Sequence, residues 1–243
     1  MLMCIPDVLD WPTLKKIRAE IEESEFEDGR RTAGRYARRV KHNLQLKRES
    51  EQAKRIKATI VRALRRNPTF NRVTIPLSIR PPLISCYRQG MNYGPHVDDA
   101  LMGRAEQKAR SDISVTVALN SPEDYDGGEL VIHGSFGEQE VKLPAGSAVI
   151  YPSSAVHRVA PVSRGERLAA VTWVQSYVRA TRRCGRYSTT SIRFARCWRK
   201  RIRKEKRPPW PARPTPTCCG CGPKPRPIMM IRTGNRARPL DPC

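Results

Sequence analysis

The chain has 243 residues, enough for one large domain or a domain with a sizeable appendage, and too few for two full enzymes. Lys and Arg outnumber Asp and Glu 46 to 23, a formal charge of +23 that by itself suggests a nucleic-acid or anionic-membrane binder. The charge is uneven: residues 179–243 hold 19 Lys/Arg against Glu205 and Asp241, a net of +17, while the first 178 residues hold 27 basic and 21 acidic groups, a net of +6.

Other oddities share that segment. Six of the eight cysteines and ten of the 21 prolines lie there, Val is absent, and Leu240 is its one leucine. So few branched aliphatics cannot offset the entropy of ordering a chain, so residues 179–243 are expected to be a disordered basic tail. The chain start has no basic region followed by a long apolar stretch, and no run approaches the roughly 18 apolar residues a membrane span needs. A soluble, cytoplasmic protein without membrane contact is expected. Cys4 and Cys86 are the only cysteines before the tail, so no disulfide framework supports the fold.

Residues 1–76 read as a helical and mixed region packing on a downstream barrel. Asp10-Trp11-Pro12 has the form of a helix N-cap with proline in the first turn, and Leu14, Ile17 and Ile21 recur at helical spacing. A second helix is predicted over Glu49–Arg66, with Ala53, Ile56, Ile60, Val61 and Leu64 on one stripe and Asn67-Pro68 as its stop. From about Val73 the period falls to two. Ile113, Val115, Val117 and Leu119 alternate with smaller residues, and Asp126-Gly127-Gly128 supplies turn chemistry before Glu129-Leu130-Val131-Ile132. Further strands are predicted over Gln139–Leu143, Ser147–Tyr151 and Arg167–Val178. The fold class is mainly β with N-terminal helices (α+β), and many short strands favour a jelly roll or barrel over residues 77–178.

Four histidines occur, at 42, 96, 133 and 157. In an extended chain His96 and Asp98, two apart, point to the same side. His157, beside another strand end, can complete a two-histidine, one-carboxylate metal site with open positions, as in non-haem Fe(II) oxygenases. Ten residues further, Arg167 opens a strand whose face it shares with Ala169, Val171, Trp173 and Gln175. A guanidinium facing an apolar interior is costly unless an anion meets it, and its fork suits a carboxylate. Tyr87 can add a phenolic hydrogen bond. An open metal beside a carboxylate clamp describes a site for a chelating oxo-acid.

Other candidates have plainer roles. His133 is expected to be an exposed hairpin histidine and His42 a surface one, with Asn43 and Gln45 as minority candidates for a cleft. Asp99 reads as a solvated neighbour, Asp124 and Asp126 as turn carboxylates, and Trp173 as barrel core. Cys218, Cys219 and Cys221 lack the second spaced pair of a metal knuckle.

His96-x-Asp98, His157 and Arg167, with Asp126-Gly127-Gly128-Glu129-Leu130 in a middle hairpin, resemble the iron- and 2-oxoglutarate-dependent dioxygenases. Cys86-Tyr87, Tyr93-Gly94-x-His96-Val97-Asp98, Lys142-Leu143-Pro144-Ala145-Gly146, Tyr151-Pro152-Ser153-Ser154 and Trp173-x-Gln175-Ser176 narrow the likeness to the bacterial PKHD-type hydroxylases, over roughly residues 1–178. The resemblance implies a double-stranded β-helix with Fe(II) on His96, Asp98 and His157 and 2-oxoglutarate on Arg167. Ascorbate keeps the iron reduced in such enzymes. It also implies hydroxylation of a small-molecule or peptide substrate with release of succinate and CO2, a link to bacterial iron uptake, and a possible homodimer. Relatives continue into a moderately charged helical segment where this chain turns basic, which suggests a shifted reading frame beyond Val178. The alternative is a catalytically weak β-scaffold whose tail, through Arg199–Arg207, binds nucleic acid non-specifically.

Overall fold

The computed structural model describes residues 2–47, 49–103, 108–134 and 137–178. The basic tail, its cysteines and the frameshift expectation all lie outside the described residues.

The two predicted N-terminal helices form where capping chemistry starts them. The first spans Trp11–Glu22, and Asp10 Oδ1 accepts the Thr13 N–H at 2.9 Å. The second spans Glu51–Arg66, two residues shorter than expected because Ser50, not Glu49, is its cap; Ser50 Oγ accepts the Ala53 N–H at 3.1 Å. Asn67 does not simply end it. Its side-chain oxygen accepts the Phe70 N–H at 2.9 Å and starts a third helix, Pro68–Thr74, with proline in the first turn. The strand that follows this helix therefore begins at Pro76 rather than near Val73.

Among the described residues the strands form two main antiparallel sheets. The larger runs in the order Met3–Ile5, Ala148–Pro152, Ile113–Ala118, Arg167–Ser176, Leu83–Tyr87, Leu44–Leu46, Phe26–Asp28, with Pro76–Ile79 also paired to Arg167–Ser176. The smaller runs Gly137–Val141, Leu130–Gly134, His157–Val159, Asn92–His96, Lys41–His42. Strands from residues 1–76 thus join both sheets. The strand bounds at 137, 148 and 176 differ from expectation by one or two residues.

The larger sheet is covered on both faces, by the helices on one and by the smaller sheet on the other. One face carries Ile84, Val115, Val117, Ile150, Ala170 and Val174, packed with Leu14, Ile17, Ile56, Ile60 and Leu64 of the helices. The period of two then sends Ser85, Tyr87, Ser114, Thr116, Tyr151 and Arg167 to the opposite face, toward the smaller sheet. There Tyr87, Val149 and Tyr151 meet Leu130, Ile132 and Val159. The helix-covered face supplies an apolar core, and the other face supplies the wall of a cavity.

The Asp126-Gly127-Gly128 segment is not the turn of a hairpin. Tyr125–Gly127 pairs with Val162–Gly165, and the hairpin comes later, joining Leu130–Gly134 to Gly137–Val141. Both glycines have positive φ, +72° and +67°. A Cβ on Gly127 would stand 2.1 Å from Pro161 O, and one on Gly128 would stand 3.1 Å from Arg167 Cδ. These glycines are needed for close backbone approach, and the second lets the chain pass beside Arg167.

Candidate active site

His96 ends the strand Asn92–His96, and His157 begins the strand His157–Val159; the two are register partners in the smaller sheet. Their rings lie 4.2 Å apart between centroids. Asp98 lies two residues past the end of its strand, so strand alternation does not place it. Even so, its carboxylate turns to the same point. Donor atoms of His96, Asp98 and His157 all lie within 4.8 Å of one another, and His157 Nε2 is 3.8 Å from Asp98 Oδ2.

Neighbouring groups prepare this trio. His96 Nδ1 contacts Gly94 O at 2.8 Å and His157 Nδ1 contacts Ala155 O at 3.1 Å. Each carbonyl favours a proton on Nδ1, which leaves Nε2 as the basic atom suited to a metal. Burial, with the charge of His157 second, holds the His96 imidazole well below its usual pKa, so the ring is neutral as a metal ligand must be. Tyr93 stacks on His96 with centroids 3.6 Å apart, and Tyr151 meets His157 edge-on at 5.0 Å. Ser114 Oγ donates to Asp98 Oδ2 at 2.5 Å and contacts Ser153 Oγ at 2.8 Å. The donor set therefore fits one hard or borderline divalent ion, with an oriented carboxylate and neutral imidazoles.

The trio, Tyr93 and Tyr151 line a cleft of about 860 Å³ shared with Tyr87, Thr116 and Arg167. Arg167 is only 6% exposed, and no ion pair joins it to a carboxylate among the described residues. Its guanidinium carbon stands 5.3 Å from the centre of the Tyr87 ring, its cross-strand partner. Burial pushes the Tyr87 hydroxyl up to about 12, so it remains a donor at neutral pH. The far end of the cleft thus offers a buried cation and a phenol to an incoming anion.

His42 is exposed, as expected, while Gln45 is buried and lines the cleft; Asn43 is buried beside Gly29. Asp124 accepts the Ser121 N–H within its local turn, whereas Asp126 is not a turn carboxylate: it lies in the strand Tyr125–Gly127 and pairs with Arg164 on the facing strand. Two further expectations need correction. His133 is not exposed: its side chain is 17% accessible and packs beside Glu138 across the hairpin. Trp173 is half-buried and lines the cleft rather than only filling the core. Sequence reasoning missed Ser114, Tyr93 and Lys41. The signal for Ser114 was present, since Ser114 and Thr116 form a polar face in an otherwise apolar strand.

The 2OG-Fe(II) oxygenase superfamily matches residues 82–175. A PKHD-type hydroxylase of Synechococcus sp. (strain JA-2-3B'a(2-13)) is 52% identical over 179 residues, covering 74% of this chain and 80% of the relative. One from Pseudomonas putida (strain W619) is 45% identical over 181 residues, with the same coverage. The fold is shared with a 2OG-Fe(II) oxygenase family oxidoreductase from Burkholderia pseudomallei, at TM-score 0.52 and 22% identity, over 75% of this chain and 88% of that one. Among the described residues no helix is long and apolar enough to cross a membrane. A jelly roll that gathers two histidines, a carboxylate and a buried arginine around one cleft, at this identity to its relatives, places the chain in the PKHD-type hydroxylases of the 2OG-Fe(II) oxygenase superfamily, as a dioxygenase dependent on 2-oxoglutarate and Fe(II).

Proposed function

We propose that His96, Asp98 and His157 hold the Fe(II), that Arg167 and Tyr87 receive the distal carboxylate of 2-oxoglutarate, and that the enzyme hydroxylates a small-molecule or peptide substrate in the cytoplasm in support of iron uptake. The observation that carries the site assignment is the convergence of the trio on one cleft that also contains the buried Arg167. Iron bound there supplies the centre at which 2-oxoglutarate and O2 react, so that substrate R–H gains one oxygen atom as R–OH while 2-oxoglutarate loses CO2 and becomes succinate with the other.

The chain's own residues do the rest. The Gly94 and Ala155 carbonyls fix which nitrogen of each imidazole is basic, and Ser114 orients the Asp98 carboxylate. Arg167 offsets the negative charge of the co-substrate, and the aromatic rings of Tyr87, Tyr93 and Tyr151 limit water around the reacting centre. Ascorbate is the proposed reductant that restores the iron after uncoupled turnover.

Parallel measurement of succinate and CO2 from 2-oxoglutarate, with Fe(II) and O2, tests the reaction. Equal, O2-dependent yields that rise with ascorbate support it. Iron-loaded protein that releases neither contradicts it. The iron-uptake link is tested by deleting the gene in a bacterium that carries it and comparing growth under iron limitation; growth equal to the parent strain contradicts the link.

A further inference from the structure

Asn43 stands beside Tyr87 with an amide that its surroundings leave unsatisfied. It is 1% exposed, and neither its Oδ1 nor its Nδ2 meets a hydrogen-bond partner among the described residues. Unsatisfied buried amides are costly and uncommon, so one that persists calls for a reason.

The sheet register places this side chain. Arg167 opposes Tyr87, and on the next strand Leu44 opposes Cys86, so Asn43, one residue before Leu44, comes level with Tyr87. Arg167, Tyr87 and Asn43 thus follow one another across three adjacent segments of the larger sheet. The Gly29 N–H donates to the Asn43 backbone oxygen at 2.9 Å, and a Cβ on Gly29 would run into Asn43 Oδ1. With Oδ1 turned to Gly29, Nδ2 is the end left for Tyr87.

The Tyr87 hydroxyl registers this neighbour. Burial raises its pKa, while the charge of Arg167 and then the Asn43 side chain act in the opposite sense. A neutral group lowers the pKa of a phenol by donating toward its oxygen, as the Nδ2 end can do. Asn43 is therefore close enough to act on the phenol without closing a bond to it. A phenol has one proton to give and lone pairs with which to receive. An amide that occupies the accepting side directs the O–H elsewhere, and the other neighbour in the row is Arg167.

We propose that Asn43 is a positioning residue of the co-substrate site: its amide donates to the Tyr87 oxygen, so that the Tyr87 proton is given to the distal carboxylate of 2-oxoglutarate beside Arg167. The inference rests on the assignment of Arg167 and Tyr87 above. It adds to that assignment a group that acts through Tyr87 without touching the co-substrate.

The test is a double-mutant cycle in the full-length enzyme, read as the dissociation constant of 2-oxoglutarate from its visible charge-transfer band with Fe(II) in the absence of O2. Asn43→Leu keeps most of the side-chain volume, and Asn43→Ala relieves any crowding against Gly29; circular dichroism matching the parent establishes which is folded. A folded variant is expected to weaken 2-oxoglutarate binding about three- to tenfold, the loss of one hydrogen bond. In the Tyr87→Phe background the same substitution is expected to change binding by less than about twofold, because the hydroxyl through which Asn43 acts is gone. Binding of 2-oxopentanoate, which keeps the chelating end and has no distal carboxylate, is expected to be indifferent to Asn43. An equal loss in both backgrounds, a loss shared by 2-oxopentanoate, or no loss at all overturns the proposal. A Tyr87→Phe enzyme that binds 2-oxoglutarate as tightly as the parent instead refutes the Tyr87 assignment on which it rests.

Discussion

Ser114 is a positioning residue whose effect can be worked from its contacts. It is fully buried, donates to Asp98 Oδ2 at 2.5 Å, and is itself fixed by Ser153. Ser114→Ala removes a hydrogen bond to an ionised group, worth about 1.5–3 kcal/mol. If that energy serves to orient Asp98 toward the metal, the metal dissociation constant rises roughly 10- to 150-fold. Anaerobic titration with Fe(II), or with Co(II) followed by its visible bands, measures the constant directly. Thermal unfolding of the metal-free variant runs alongside, because a purely structural serine would lower the melting temperature without selectively weakening metal binding. Metal affinity within twofold of the parent protein refutes the positioning role.

Arg167→Met removes one partner of the proposed buried ion pair with the co-substrate, a loss of about 3–5 kcal/mol, and is expected to raise the KM for 2-oxoglutarate a hundredfold or more; Arg167→Lys recovers only part, since an ammonium lacks the bidentate fork. An unchanged KM in Arg167→Met assigns the co-substrate elsewhere. Gly127→Ala places a methyl group where 2.1 Å separates it from Pro161 O at φ +72°, so stability in urea should fall by at least about 1–3 kcal/mol, and equal midpoints contradict the close-approach role. Burial is the largest cause that pushes the Cys86 thiol up to about 12 from 9.0. Above about 9 the unfolded chain therefore ionises this thiol while the folded chain retains its proton, so stability falls as pH rises across that interval. Cys86→Ala should flatten that part of the stability profile relative to the parent, and an unaltered slope refutes the assignment.

Local chemistry made much of the fold readable. Capping residues and helical stripes marked the first two helices, and alternation marked the strands. Asn67 misled because a residue that stops one helix can cap the next, as its side chain does for Phe70. The Asp126-Gly127-Gly128 segment misled because positive φ was read as a tight hairpin, when it serves close approach to Pro161 and Arg167. His96, His157 and Arg167 were legible since spacing and strand periodicity constrained their side chains, and Asp98 was legible from its spacing to His96 although it lies past the strand end. Tyr93 and Lys41 were not, and Ser114 stood out only as a polar residue in an apolar strand without its partner, because these contacts join segments distant in sequence. The pairing of Lys41 with Tyr93, and of Ser114 with Asp98, exists only after the sheets form.

The central claim is that one Fe(II) binds through His96, Asp98 and His157 and presents open positions to 2-oxoglutarate. Anaerobic addition of both to the full-length protein tests it most directly. The expected result is a weak visible charge-transfer band that saturates at one iron per chain and is abolished in His96→Ala. A folded parent protein without the band, or a His96→Ala variant that retains it at the parent's iron affinity, would contradict the claim.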